Sequence, residues 1–340
     1  MKKKIISFYK KNEKAILLAL RIIISVALII YLIKTHLKDF SGIIAILKSS
    51  NKILLLLSFS THIFGVWITA FRWKTLLNTQ GVKLSTATLS VTVLIGLFFS
   101  NFLPTTIGGD VFRTYDVSKK AKIPLGTSAS IIMVERFSGV VSAAVYAVAA
   151  LFLGFTAIGK KSIIIPIVIF FVITLIIALI IINPSIFGIK RLFNRFKFMR
   201  KIKEKLSNVF NTLASFKKYK IVLLEVLLYS FLLQFAVILN WYLASLALGI
   251  DLNLAAFIFL VPVVSTIAMI PISIGGIGLR ENSLVFIMVA MGAASNKAAL
   301  CSLLILFMLI IVGIVGGITY IVRPYFEGKH VEADEKNIRS

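Results

Sequence analysis

Apolar residues in this chain run in blocks, separated by short clusters of lysine, arginine, glycine and proline. Six blocks, Ala15 to Ile33, Lys52 to Phe71, Ser128 to Phe155, Ser162 to Ile182, Ile221 to Leu246 and Ala298 to Val322, are long enough as helices to cross a hydrocarbon core about 30 Å thick. Two more, Thr86 to Leu103 and Leu254 to Ile270, stop at a proline, and a short run from Asn282 to Ala293 follows the second. Asp39 to Lys48 is too short to span and fits the membrane interface.

The two prolines open a repeated element. Residues 104 to 113 read Pro-Thr-Thr-Ile-Gly-Gly-Asp-Val-Phe-Arg and residues 271 to 280 read Pro-Ile-Ser-Ile-Gly-Gly-Ile-Gly-Leu-Arg, an offset of 167 residues, about half the chain. Proline lacks the amide hydrogen a helix needs and disfavours helix in the residue before it, so breaks are predicted near Leu103 and Ile270. The glycine pairs permit turns and a close approach of backbone to a ligand. Non-helical backbone at membrane depth survives only against protein or a water-filled cavity, which implies a polar cavity at the breaks.

Composition places the chain in lipid: 59% of the 340 residues are hydrophobic, 15% are charged, and the mean hydropathy is +0.99. The net charge of +25 does not indicate a nucleic-acid partner, because the cations sit between apolar blocks and no soluble basic domain exists to dock on a duplex. They read as loop and terminal charges on the cytoplasmic side, facing anionic lipid head groups. Cys301 stands alone in an apolar run, and His36, His62 and His330 are too far apart for ligand spacing, so neither a disulfide nor a metal or other cofactor is expected.

Charge also fixes the predicted topology. The first fourteen residues carry six lysines ahead of a run with no small-residue cleavage site, an uncleaved first span from a cytoplasmic N-terminus. Between Asn183 and Lys220 stand eleven lysines or arginines against one acid, Glu204, with Ile202, Leu206, Val209, Phe210 and Leu213 at helical spacing for an amphipathic surface helix. If every earlier run crossed the membrane, this connector would lie outside, against the positive-inside rule. If the run ending at Pro104 turns back instead, the connector and Lys119, Lys120 and Lys122 become cytoplasmic. Treating the run before Pro271 likewise, from the opposite face, returns the C-terminus to the cytoplasm. The predicted fold is therefore an all-α polytopic membrane protein of the cell membrane, an inverted repeat with six full spans and two re-entrant elements. Residues 1–160 form the first half, 161–182 open the second, 183–220 are the connector, 221–323 complete the second half and 324–340 are a flexible tail. Eight plain spans also bring the tail inside but leave the connector on the wrong face.

Charged residues cluster around both breaks, and ionisable groups at such depth are costly unless paired or hydrated. Asp110 and Arg113 follow the glycines Gly108 and Gly109, Glu135 and Arg136 lie in the next span, and Arg280 and Glu281 follow Gly275 and Gly276. Their spacing allows mutual neutralisation within each pair. An arginine fork and a helix N-terminus also suit a phosphate group. Asn101, just before the first break, is a candidate for lining the cavity, whereas Trp67, Trp73 and Trp241 read as interface or packing residues. Gln234 and Asn240 read as interhelical hydrogen bonders, and Gly313, Gly316 and Gly317 as close helix contacts.

Asn101-Phe-Leu-Pro104 leading into Gly108-Gly109-Asp110 and Arg113, then Glu135-Arg136, then Pro271 with Gly275-Gly276, Gly278, Arg280 and Glu281, resembles the lysylphosphatidylglycerol synthase transmembrane region family, the flippase-like domain proteins of prokaryotes. The Phe71-Arg72-Trp73-Lys74 stretch fits the same resemblance, which covers nearly the whole chain. It implies movement of a lipid or lipid-linked anionic head group between leaflets. A chain ending at Ser340 has no room for the soluble aminoacyl-transfer domain of the synthases, so enzymatic activity is not expected. Two alternatives remain: an intramembrane transferase acting on a lipid-linked sugar or phosphate, and a non-transporting membrane partner of a glycosyltransferase or another lipid-modifying enzyme.

Overall fold

The computed structural model describes residues 2–102, 108–154, 172, 216, 218–270 and 272–339. These form ten helices and no strand among the described residues: α1 Lys2–His36, α2 Phe40–Ser49, α3 Lys52–Asn78, α4 Thr86–Phe102, α5 Gly108–Ala121, α6 Leu125–Gly154, α7 Lys220–Ala247, α8 Leu254–Ala268, α9 Leu279–Ala290 and α10 Ser295–Arg339. Stretches of α1, α3, α6, α7 and α10 are each long and apolar enough to span a membrane. Apart from residues 172, 216 and 218–220, the predicted span 162–182 and the connector 183–220 lie outside the described residues. The chain is an all-α polytopic membrane protein.

Polar residues mark where helices start. The Asn51 side chain accepts hydrogen bonds from the N–H groups of Ile53 and Leu54 at 3.0 and 3.2 Å, and Asn253 accepts from Ala256 at 2.9 Å, satisfying donors that α3 and α8 leave open. At the C-terminal end α10 continues through Pro324 to Arg339. Beyond Pro324 the sequence holds three glutamates and two lysines, which favour helix.

Two ends of the bundle can be told apart by contacts. At one end, Val82, Leu89, Val117, Ile131 and Phe216 share a core cluster, the Tyr219 hydroxyl donates to the Thr79 carbonyl at 3.4 Å, and Arg323 pairs with Asp116 at 2.9 Å. Lys74, Lys83, Lys119, Lys120 and Lys122 lie in the segments that meet here, so we call this the basic face. At the other end, the Asn51 amide bonds the Ala247 carbonyl at 2.9 Å, His36 bonds Ser295, and Lys297 reaches the Gly249 carbonyl at 2.9 Å.

Against this frame α4 and α5 form a hairpin. Ser100 lies beside Gly109, Gly96 beside Arg113, and Thr92 donates to Asp116 at 2.7 Å, so the two helices run in opposite directions. Both outer ends sit at the basic face. With 17 residues, α4 extends only about 25 Å, so the chain enters from the basic face, turns and returns to it. The helices α8 and α9 do the same from the opposite face, where α8 follows the end of α7 and α9 precedes the start of α10. Between them Gly275, Gly276 and Gly278 adopt φ of +56°, +78° and +84°, a left-handed conformation that glycine tolerates. A β-carbon on Gly275 would lie 3.5 Å from the Ser100 carbonyl oxygen, so the hairpin tips meet.

Each hairpin packs on a helix distant in sequence. Helices α3 and α7 pack antiparallel, joined by Asn240, whose amide donates to the Ser58 carbonyl at 2.7 Å. The first hairpin's α4 packs on α10, from the second half, and the second hairpin's α8 packs on α6, from the first. Gly316 and Gly317 allow the former: a side chain at either would collide with Leu94 or Phe98.

Candidate functional site

Beside the first hairpin, three arginines and two carboxylates form one assembly, largely buried except at Arg136. Glu135, 3% exposed on α6, accepts from Arg113 through both oxygens, at 3.0 and 2.7 Å, and from Arg72 of α3 at 2.8 Å. Arg72 also donates to Ser230 of α7 at 3.0 Å. The Arg113 guanidinium lies 4.3 Å above the Trp73 ring, a cation–π contact in a site closed to water. Alongside, Arg136 grips Asp110 with two bonds of 2.8 Å each. The Arg72 Nε, Arg113 Nε and Trp73 Nε1 atoms are buried with no hydrogen-bond partner among the described residues.

The glycines of the first element shape this assembly. Gly109 rests against the Gly96 carbonyl and the Ser100 hydroxyl, and Gly96 rests against the Arg113 side chain. Larger residues would push α5 away from α4 and carry Arg113 off Glu135.

The second hairpin is charged more sparingly. Glu281, 1% exposed, takes the Gly278 N–H at 2.6 Å and caps the start of α9. Its other oxygen accepts from Arg280 at 2.9 and 2.7 Å. Arg280 lies within electrostatic reach of His62 on α3, whose Nε2 is buried without a partner among the described residues. This tip docks on α1, where Ser25 accepts from the Ile274 N–H at 2.9 Å and the Leu28 carbonyl accepts from Asn282 at 3.0 Å.

Every candidate site residue named from the sequence can now be placed. Gly108, Gly109, Asp110, Arg113, Glu135 and Arg136 come together, as do Gly275, Gly276, Arg280 and Glu281 at the second tip. The pairing differs from the sequence spacing: Glu135 serves Arg113 and Arg72 rather than its neighbour Arg136, and Asp110 serves Arg136 while lying 3.9 Å from Arg113. Asn101 donates to the Leu309 carbonyl at 3.1 Å, which ties α4 to α10. Gln234 Nε2 is buried without a partner among the described residues. Arg72 and Trp73, just past the apolar block Lys52 to Phe71, are buried because α3 continues to Asn78. An open recess of about 420 Å³, lined by Lys74, Asn78, Gly81, Lys83 and Leu84, lies at the α3–α4 turn, away from the hairpin tips.

Two opposed re-entrant hairpins meeting inside a bundle, each with a buried ion pair, define a polytopic membrane protein with a polar interior. Comparison with known proteins specifies it further: the chain belongs to the lysylphosphatidylglycerol synthase TM region family, whose model matches residues 16–317. A UPF0104 membrane protein of Methanocaldococcus jannaschii is 30% identical over 128 residues, 37% of this chain and 36% of that relative's length. A UPF0104 membrane protein of Pyrococcus horikoshii is 26% identical over 253 residues, 67% of this chain and 74% of the relative.

Proposed function

We propose that this protein moves a phospholipid, or another lipid with an anionic head group, between the leaflets of the cell membrane. The observation that carries the reading is the meeting of two hairpin tips, at Ser100 and Gly275, from opposite faces. Non-helical backbone and paired charges at that depth serve a polar group in transit, because hydrocarbon alone would penalise both. Opposed broken elements also leave one path for the head group from each face while the acyl chains stay in lipid. The basic face, and with it both termini, is cytoplasmic by the positive-inside rule.

The role is transport rather than conversion, so the lipid leaves with unchanged mass. Arg280 is the residue to test, because its described ion-pair partner, Glu281, also caps α9 and keeps that second task without it. In vesicles reconstituted with purified protein and a head-group-labelled anionic phospholipid, Arg280→Gln is expected to slow leaflet transfer at least tenfold while leaving the melting temperature within a few degrees of the parent. Transfer at the parent rate would overturn the proposal.

A further inference from the structure

Arg136 is out of place for a membrane span. It lies near the middle of the spanning stretch Leu125–Ala149, yet its side chain is 54% exposed. A guanidinium at that depth is tolerated only against water or a polar ligand. Its Asp110 partner holds it through Nε and Nη2 together, the two-pronged geometry by which arginine also binds phosphate.

We infer that Asp110 and Arg136 are an exchangeable pair, and that the phosphate of an anionic glycerophospholipid takes the place of Asp110 on Arg136. This rests on the lipid-transport reading above and assigns a binding step within it. Charge favours the exchange: Arg72, Arg113 and Arg136 face Glu135 and Asp110, one positive charge in excess, and Glu135 is committed to Arg72 and Arg113. The displaced carboxylate has somewhere to go, because Asp110 Oδ1 already lies 3.9 Å from Arg113 Nη1. Among the described residues, hydrogen-bonding capacity is also left over in Arg72, Arg113 and Trp73, which are 5%, 6% and 0% exposed and carry N–H atoms without acceptors there. A zwitterionic head group would bring its own cation towards this surplus positive charge and gain less.

The test is binding of short-chain phosphatidylglycerol and phosphatidylcholine to the full-length protein in detergent, measured by calorimetry. The wild type is expected to prefer phosphatidylglycerol. Arg136→Gln should weaken that lipid at least tenfold and leave phosphatidylcholine unchanged. Asp110→Asn, which removes the competing charge and keeps the side-chain shape, should tighten phosphatidylglycerol at least threefold. Wild-type phosphatidylglycerol affinity in both variants would overturn the exchange, and so would inorganic phosphate binding as tightly as the lipid. Because the readout is binding, the two readings fail separately: a shifted preference without leaflet transfer upholds the pair and sinks transport, and transfer with unshifted preference does the reverse.

Discussion

Glu135 is one carboxylate shared by two guanidinium groups from different helices, which makes it hard to replace. Removing one partner of a buried ion pair leaves an uncompensated charge and costs about 3–5 kcal/mol. Glu135→Ala should therefore lose stability of that order, and Glu135→Gln less, because the amide still accepts a hydrogen bond. Thermal unfolding followed by circular dichroism checks this, and an unchanged midpoint for Glu135→Ala would show that the assembly is not structural. Sequence spacing could nominate Asp110, Arg113, Glu135 and Arg136, because charge in an apolar run stands out. It could not pair them. Arg72 is 63 positions from Glu135, and nothing local marks it as a partner. The only signal is that Arg72 and Trp73 precede further helix-compatible residues, Leu76 and Leu77, which turn out to be fully buried.

The helix–break–helix elements were the most legible part of the fold, because proline and paired glycine act locally and recur at a fixed offset. Where those glycines sit also predicts which can be changed. Gly109→Ala would put a methyl group into the Gly96 carbonyl, and overpacking of this kind costs about 1–3 kcal/mol. Gly139 faces open space on α6, so Gly139→Ala should be neutral or stabilising by about 0.5–1 kcal/mol through helix propensity. Melting the two variants side by side checks the hairpin packing, and equal stability would contradict it. Gly313, Gly316 and Gly317 were read from sequence as helix contacts and are so, but their partner, α4, lies about two hundred residues away and was not legible.

For the whole molecule, the count of positive charges along the loops anticipated that the hairpins enter from opposite faces, because the positive-inside rule integrates over the chain. It gave no contacts, so the exchange of α4 onto α10 and of α8 onto α6 emerged only in the structure. The arrangement makes a topological prediction. A cysteine replacing Lys83 should react with an impermeant maleimide from the cytoplasmic side only, and one replacing Asn296 from the other side only. The native Cys301 is fully buried and should stay silent. Labelling of both positions from one side would refute the opposed hairpins.

The exchange of hairpins between halves also has a consequence for synthesis. The surface of α4 that receives Gly316 and Gly317 leaves the ribosome some two hundred residues before those glycines, roughly 10–40 s at ordinary elongation rates. During that interval the first hairpin must wait in the bilayer with Leu94 and Phe98 uncovered. A chain halted before α10 therefore leaves this surface of α4 facing lipid, without the helix that closes on it.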